Sequence, residues 1–260
     1  MRVILVFSQT DVINHFLKTP KKHNMKLFQI LVLIIFIPCN SQETKCNNDF
    51  NLKGRVQNVE ETIKYSDYEM KSIYSLNEND YVLSIEVYAN NSLFEKTEIK
   101  YDKNNITQEI IVVDSKGKEK SKSSFINNNE NQIEKTIIKT SNGKSIIVHN
   151  YEGNSEFPNS GKESHENGKV TRSWKLKYKN DLVFIQSNFN PDGTIISETT
   201  FSYNENNDLV EVIEKDKNSE ILNKQYSEYK YDDKKNWVER KLYDTNKNLV
   251  STSIRKIKYW

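Results

Sequence analysis

Alternation with a period of two recurs along most of this chain, and it limits the possible folds more than any other feature. In residues 169–179, Val170, Arg172, Trp174, Leu176 and Tyr178 fall on one face, while Lys169, Thr171, Ser173, Lys175, Lys177 and Lys179 fall on the other. Successive side chains of a strand point to opposite faces, so this segment reads as a strand with one covered and one wet face. Residues 93–101 repeat the pattern, with Leu93, Thr97, Ile99 and Tyr101 set against Lys96, Glu98 and Lys100. Residues 195–203 do so again, with Thr199, Phe201 and Tyr203 in register. No stretch shows helical periodicity, and residues 65–81 are the least decided.

Polar turn clusters separate the strands, at 89–92, 102–105, 115–118, 127–131, 141–144, 190–194, 204–208, 232–236 and 244–248. Several intervals are about 10–15 residues, near the spacing of an antiparallel all-β chain. Asn142-Gly143 and Asp192-Gly193 are strong hairpin signals, because both pairs tolerate positive φ. Elsewhere Asn and Asp stand where Gly would, the next best choice for a left-handed turn position. The longest interruption, 152–168, holds Gly153, Pro158, Gly161 and Gly168 and reads as a long loop at a sheet edge.

A weak internal repeat runs through these turns. Tyr101-Asp102-Lys103-Asn104-Asn105-Ile106 compares with Tyr203-Asn204-Glu205-Asn206-Asn207-Asp208-Leu209, with Tyr231-Asp232-Asp233-Lys234-Lys235-Asn236-Trp237 and with Tyr243-Asp244-Thr245-Asn246-Lys247-Asn248-Leu249. Each unit is an aromatic strand end, an acidic or amide turn and an apolar strand start. The ring packs on a neighbour, and the Asp or Asn side chain caps the turn. On these units the chain resembles the YD-repeat (RHS-like) envelope proteins of Bacteroidetes. Residues 229–240 are similar to that family's terminal Tyr-Asp-x-x-Gly-Asn-Trp-x-x-Arg unit, with Lys235 in place of the glycine, and residues 51–59 are similar to its opening strand. The resemblance implies an antiparallel β-meander and no chemistry. The expected fold is therefore all-β, an antiparallel β-meander of about a dozen short strands in an elongated, twisted or curled sheet over 51–260.

Upstream, Met25-Lys26 precedes an apolar run over 27–37 that ends at Pro38-Cys39-Asn40-Ser41-Gln42. A basic start, a short apolar core and a small-residue exit read as a signal peptide over 25–41, with 1–24 an upstream extension and 42–50 a polar tether. The apolar run falls short of the about 20 residues that a membrane-spanning helix needs. Two cleavages remain open. Cys39 is either the lipidated first residue of a lipoprotein, or Cys39-Asn40-Ser41 is a small-x-small exit that leaves Gln42 as the N-terminus. Asn40-Ser41-Gln42-Glu43 resembles the surface-export signal of Bacteroidetes lipoproteins. The expected location is the outer membrane or cell surface, or alternatively the periplasm or medium. The only other cysteine, Cys46, falls in the tether, which leaves no disulfide framework.

Charge and composition narrow the function classes. The net charge of +2 arises in the first 38 residues, which hold five of the 38 Lys and Arg and one of the 36 Asp and Glu. The remainder is near neutral with mixed signs, which argues against a nucleic-acid partner, since that needs a concentrated basic face. Only 35% of residues are apolar, which predicts thin layers covered by aromatic rows. His149 is placed on a strand and His165 in the long loop, and no metal-ligand spacing or cofactor motif involves them. No nucleophile motif occurs, and the adjacent carboxylates Glu60 and Glu61 would point to opposite faces of a strand. Trp174, Tyr178, Trp237 and Tyr243 form a candidate ligand platform, with packing across strands the commoner use of such rings. Trp260 ends the chain as an aromatic ends many membrane barrel strands, but Lys256 and Lys258 share its face, where lipid demands apolar groups. The resulting expectation is a non-enzymatic envelope lipoprotein, anchored in the membrane by lipid, that binds a protein or glycan. The alternatives are a periplasmic assembly or immunity-type protein acting by strand addition, or a carbohydrate-active enzyme.

Overall fold

Sixteen antiparallel strands, joined in sequence order, close on themselves in the computed structural model, which describes residues 51–153 and 155–260. They are β1 (Val56–Lys64), β2 (Glu69–Leu76), β3 (Val82–Ala89), β4 (Ser92–Tyr101), β5 (Thr107–Asp114), β6 (Glu119–Asn127), β7 (Ile133–Thr140) and β8 (Gly143–Asn150). The second half comprises β9 (Ser160–His165), β10 (Val170–Lys179), β11 (Leu182–Phe189), β12 (Ile195–Tyr203), β13 (Leu209–Asp216), β14 (Ile221–Tyr231), β15 (Trp237–Tyr243) and β16 (Leu249–Tyr259). The ring closes where β1 pairs with β16, from Val56 opposite Tyr259 to Lys64 opposite Thr252.

Closure corrects the expectation of an open, curled sheet of about a dozen strands. The all-β antiparallel meander stands, but the sheet is a closed barrel. The β1–β16 ladder joins residues nearly 200 positions apart, and no local pattern signals such a pairing. The strand number rises because several turns carry weak signals. Asn180-Asp181, outside the turn clusters read from the sequence, forms a two-residue hairpin with positive φ at both positions and no glycine. The supposed loop 152–168 contains β9, which pairs with β8 and β10, and His165 is its last residue. The undecided stretch 65–81 contains β2.

One turn unit builds ten of the connections between described residues. An Asp, Asn or His at its first position donates its backbone N–H to the carbonyl four residues on and accepts from the N–H three residues on. In eight of these units the side-chain Oδ1 also accepts from the second and fourth following N–H groups, as Asp102 does from Asn104 and Ile106 at 2.8 and 2.9 Å. The fourth position always has positive φ, and Lys235 takes it at 63°. A one-residue bulge in the following strand accompanies the turn, as between Lys230 and Tyr231 on the β14–β15 ladder. Bulges move side chains between faces. That is why Leu93 lies opposite Tyr88 and Val170 opposite Ser164, rather than with Thr97 and Arg172 as simple alternation predicts.

The barrel has two unlike ends. Odd-numbered strands begin at the end where residues 51–55 enter, here called the lower end. There the inward face is apolar and aromatic. Leu52, Val56, Val59, Leu76 and Val82 form one buried cluster with Tyr74, Tyr259 and Ile257 against it. Leu176, Val183 and Phe201 form another, packed by Trp174, Tyr178 and Tyr203. Residues 51–55 lie across this mouth. Asn51 Nδ2 donates to Asn206 O and Asp208 Oδ1, while Lys53 exchanges backbone hydrogen bonds with the Asn236 amide. At the upper end the inward residues are mostly short and polar, among them Asp114, Ser121, Thr140, Ser145, Asn188 and Asn223.

Candidate functional site

Three features of the wall could carry function: its outer face, its upper rim and a charged cluster inside. The outer face is built by alternation and carries Lys and Glu at mid-strand. Glu60 lies between Lys71 at 2.8 Å and Lys256 at 3.8 Å, and Glu109 lies between Lys100 at 3.2 Å and Lys122. Lys224 pairs with Glu211 and Lys230 with Glu239. The hydrogen bond from Lys71 holds the Glu60 carboxyl below the usual range, and bonds from Lys122 and Lys100 do the same for Glu109. Such exposed pairs add little to stability and set the charge of the outer face. Nine of the sixteen strands have eight residues or fewer, below the about 9–11 that cross a bilayer. Among the described residues this face mixes those charges with apolar side chains such as Ile137, Ile185 and Ile213, whereas a lipid-facing barrel carries a continuous apolar band.

The upper rim breaks the polar rule. Ile195 and Ile196, Ile221 and Leu222, and Leu249 and Val250 follow the turns of three successive upper hairpins, and all six are exposed, Leu222 at 59%. Adjacent strands lie about 4.8 Å apart, so these pairs sit about 10 Å from one another along the rim. Elsewhere on the rim the equivalent residues are Glu119 and Lys120, and Val170 and Thr171. In the sequence, apolar residues after a turn signal core equally at both ends, so nothing local sets these exposed pairs apart.

Inside, β15, β16 and β1 bring Trp237, Arg240, Arg255 and Glu61 together. Trp237 is buried, with the Arg255 guanidinium 3.5 Å above its ring and that of Arg240 at 5.6 Å. Arg255 Nε donates to Glu61 Oε2 at 3.0 Å, and both side chains are almost fully enclosed. Burial, then the nearby Glu61 carboxylate, pushes the Tyr74 hydroxyl far up. On the far wall, His149 Nε2 lies 3.0 Å from Thr136 Oγ1, and the His149 ring meets Trp174 edge-on at 6.2 Å. Burial pushes His149 down to about 4, so its ring is neutral at pH 7. Trp174 lies over Gly161, where an added Cβ would meet Cζ2 at 2.2 Å. Among the described residues, no group of three or more His, Cys, Asp and Glu could hold a metal ion.

The four rings proposed as a platform do not share one surface. Trp174 and Tyr178 point inward from β10, with Tyr178 stacked on Phe157 at 5.1 Å and its hydroxyl donating to Pro158 O at 2.8 Å. Trp237 is inside, under two arginines, and Tyr243 stands on the outer face, donating to Glu228 Oε2 at 3.0 Å. Cys39 lies outside the described residues. The closed ring also leaves no unpaired strand edge among the described residues, which removes the physical basis for strand addition.

A porin-like protein from Bacteroides uniformis superposes with a TM-score of 0.56 at 12% identity, covering 80% of this chain and 99% of that one. A second porin-like protein, from Bacteroides vulgatus, gives a TM-score of 0.51 at 8% identity, with the same coverage. The likeness is one of fold, a closed antiparallel barrel. No family description and no curated protein sequence matches the chain.

Proposed function

We propose that this chain is an exported, non-enzymatic envelope protein. Lipid on Cys39 tethers it to the outer membrane, its barrel stands in water beside the bilayer, and it binds a protein partner at the upper rim. The observation that carries this reading is the conflict between fold and wall. The fold is shared with porin-like proteins, yet the outer face bears paired lysines and glutamates where lipid would lie. An anchor upstream of the barrel reconciles the two, and the leader with Cys39 supplies a candidate. The tether would enter at the lower mouth, where residues 51–55 cross, and would leave the upper rim facing away. The Tyr–Asx turn units support kinship with the YD-repeat envelope proteins at the level of local structure.

A protein partner fits the rim better than a glycan. Sugar platforms are aromatic, whereas the rim pairs are aliphatic, and Tyr178 and Trp237 are committed to packing inside. Contiguous exposed apolar patches on soluble proteins mark interaction sites. Intact mass of the protein from its native membranes, with protease shaving of whole cells, tests the anchor. A diacylglyceryl-sized adduct on a chain starting at Cys39 supports it, and an unmodified chain starting at Gln42 refutes it. A photo-crosslinker at Leu222, compared with one at Lys139 on the outer wall, tests the rim. A discrete protein adduct at Leu222 alone is expected, and equal labelling at both positions would refute rim docking.

A further inference from the structure

We infer that the inner wall at β15 and β16 holds a binding site for an oxyanion, the carboxylate or phosphate group of a small molecule, with Arg240 as its principal ligand. The cluster contains two guanidinium groups and one carboxylate. Glu61 is taken by Arg255 at 3.0 Å. Among the described residues Arg240 forms no ion pair, and the Arg255 guanidinium shares its Trp237 ring. Its Nη2 donates to Ser253 Oγ at 3.4 Å, a long bond, and it lies beside the Tyr229 hydroxyl, which itself donates to Leu209 O at 2.7 Å. Arg240 Nε is out of reach of solvent and has no hydrogen-bond partner. The inward positions around Arg240 on the two neighbouring strands are Ser227, Tyr229, Tyr231, Ser251, Ser253 and Arg255, and none is acidic.

A half-buried guanidinium whose Nε is desolvated and unpaired carries an unmatched cost, because desolvation is not offset by pairing. A planar fork of donors is also the side chain best matched to carboxylate and phosphate, which accept from it in bidentate fashion. Ser253 and Tyr229 place hydroxyl groups beside that fork. Trp237 forms the floor and holds both guanidinium groups on the same ring. Arg240 itself remains partly exposed on the inward face. The contrast with Arg172 is instructive. That residue also faces inward, but its Nε donates to Glu163 at 2.6 Å, so its charge is already matched. This inference is independent of the anchor and of the rim.

The test is thermal unfolding and tryptophan fluorescence of the full chain, titrated with inorganic phosphate and separately with butyrate at constant ionic strength. Saturable stabilisation with a change in tryptophan emission is expected for the wild type. Arg240→Gln should weaken the response at least tenfold and raise the unfolding temperature without anion, since a half-buried cation with an unpaired Nε is removed. Arg172→Gln should leave the anion response unchanged. If Arg240→Gln fails to fold, Arg240→Lys, which keeps the charge and loses the fork, should fold and respond more weakly than the wild type. A wild type without saturable response, or an Arg240 variant that responds equally, would overturn the site. A response to phosphate alone assigns the phosphate group, and a response to butyrate alone assigns the carboxylate.

Discussion

The lower and upper hairpins of this barrel are made from the same turn unit, yet they leave opposite surfaces. At the lower end the first residue after the turn is Val82, Thr107, Ile133, Leu209 or Trp237, and it faces an inward partner such as Tyr203 or Tyr231. At the upper end it is Glu119, Ile195, Ile221 or Leu249, and it faces an outward partner such as Phe189 or Tyr243. The reason is handedness. L-residues give the turn one hand. Seen from outside, a meander that always steps the same way round the barrel runs through its upper and lower hairpins in opposite senses. An identical unit therefore turns one face inward below and outward above. Below, it builds a core: Ile133 is 1% exposed and Trp237 8%. Above, the same apolar residues lie in solvent, with Leu249 at 55%.

The comparison breaks most visibly if paired substitutions behave alike. Trp237→Ala should destabilise by about 3–5 kcal/mol in urea unfolding, the usual cost of removing a buried Trp. Leu249→Ala, at the matching position of an upper hairpin, should stay within about 0.5 kcal/mol. Equal losses would mean that the upper rim is covered rather than exposed.

The acid response sharpens the comparison next. The folded pKa of His149 is depressed by burial to about 4, below the unfolded value. The unfolded chain therefore binds a proton that the folded chain refuses as pH falls from about 6.5 towards 4. Stability should be lost across that window, on the order of 3 kcal/mol when complete. His149→Gln should flatten the profile between those pH values in denaturant titrations. An unchanged profile would place the acid sensitivity elsewhere.

A smaller effect tests the turn unit itself. Lys235 holds φ of 63° at the position where the YD-repeat unit has glycine. Left-handed conformation costs a side-chain-bearing residue about 1–2 kcal/mol, partly offset by the greater chain entropy of glycine when unfolded. Lys235→Gly should stabilise by about 0.5–1 kcal/mol, read as a shift in the urea midpoint at unchanged slope. Ser219→Gly, at φ of 67° in an upper hairpin, should match it, because the unit is the same at both ends. The smallest expected effect is Leu222→Ser, near zero on stability, which leaves binding at the rim as its readout.

How much of this was legible in the sequence follows from the range of each interaction. Alternation located the strands, and the faces of Trp174, Leu176 and Tyr178 came out as read, because pleating is local. Asx turns were readable for the same reason. Leu93 and Val170 were misplaced because a bulge costs one residue of register and leaves no mark in composition. Closure through β1 and β16 was invisible, as was the difference between Tyr231 and Tyr243. Their turn sequences are alike, and only the count of strands between them decides which end each occupies. The Arg240 cluster was missed too. Arg240, Arg255 and Glu61 are unremarkable surface charges until three strands from both ends of the chain meet.

The most direct measurement is partition of residues 42–260, prepared without detergent, between buffer and liposomes, with particle size read by sedimentation. A water-facing barrel should remain in the aqueous phase as a discrete folded particle and leave the vesicles bare. Insertion into the vesicles with protection from protease would contradict the account and make the wall a membrane surface after all.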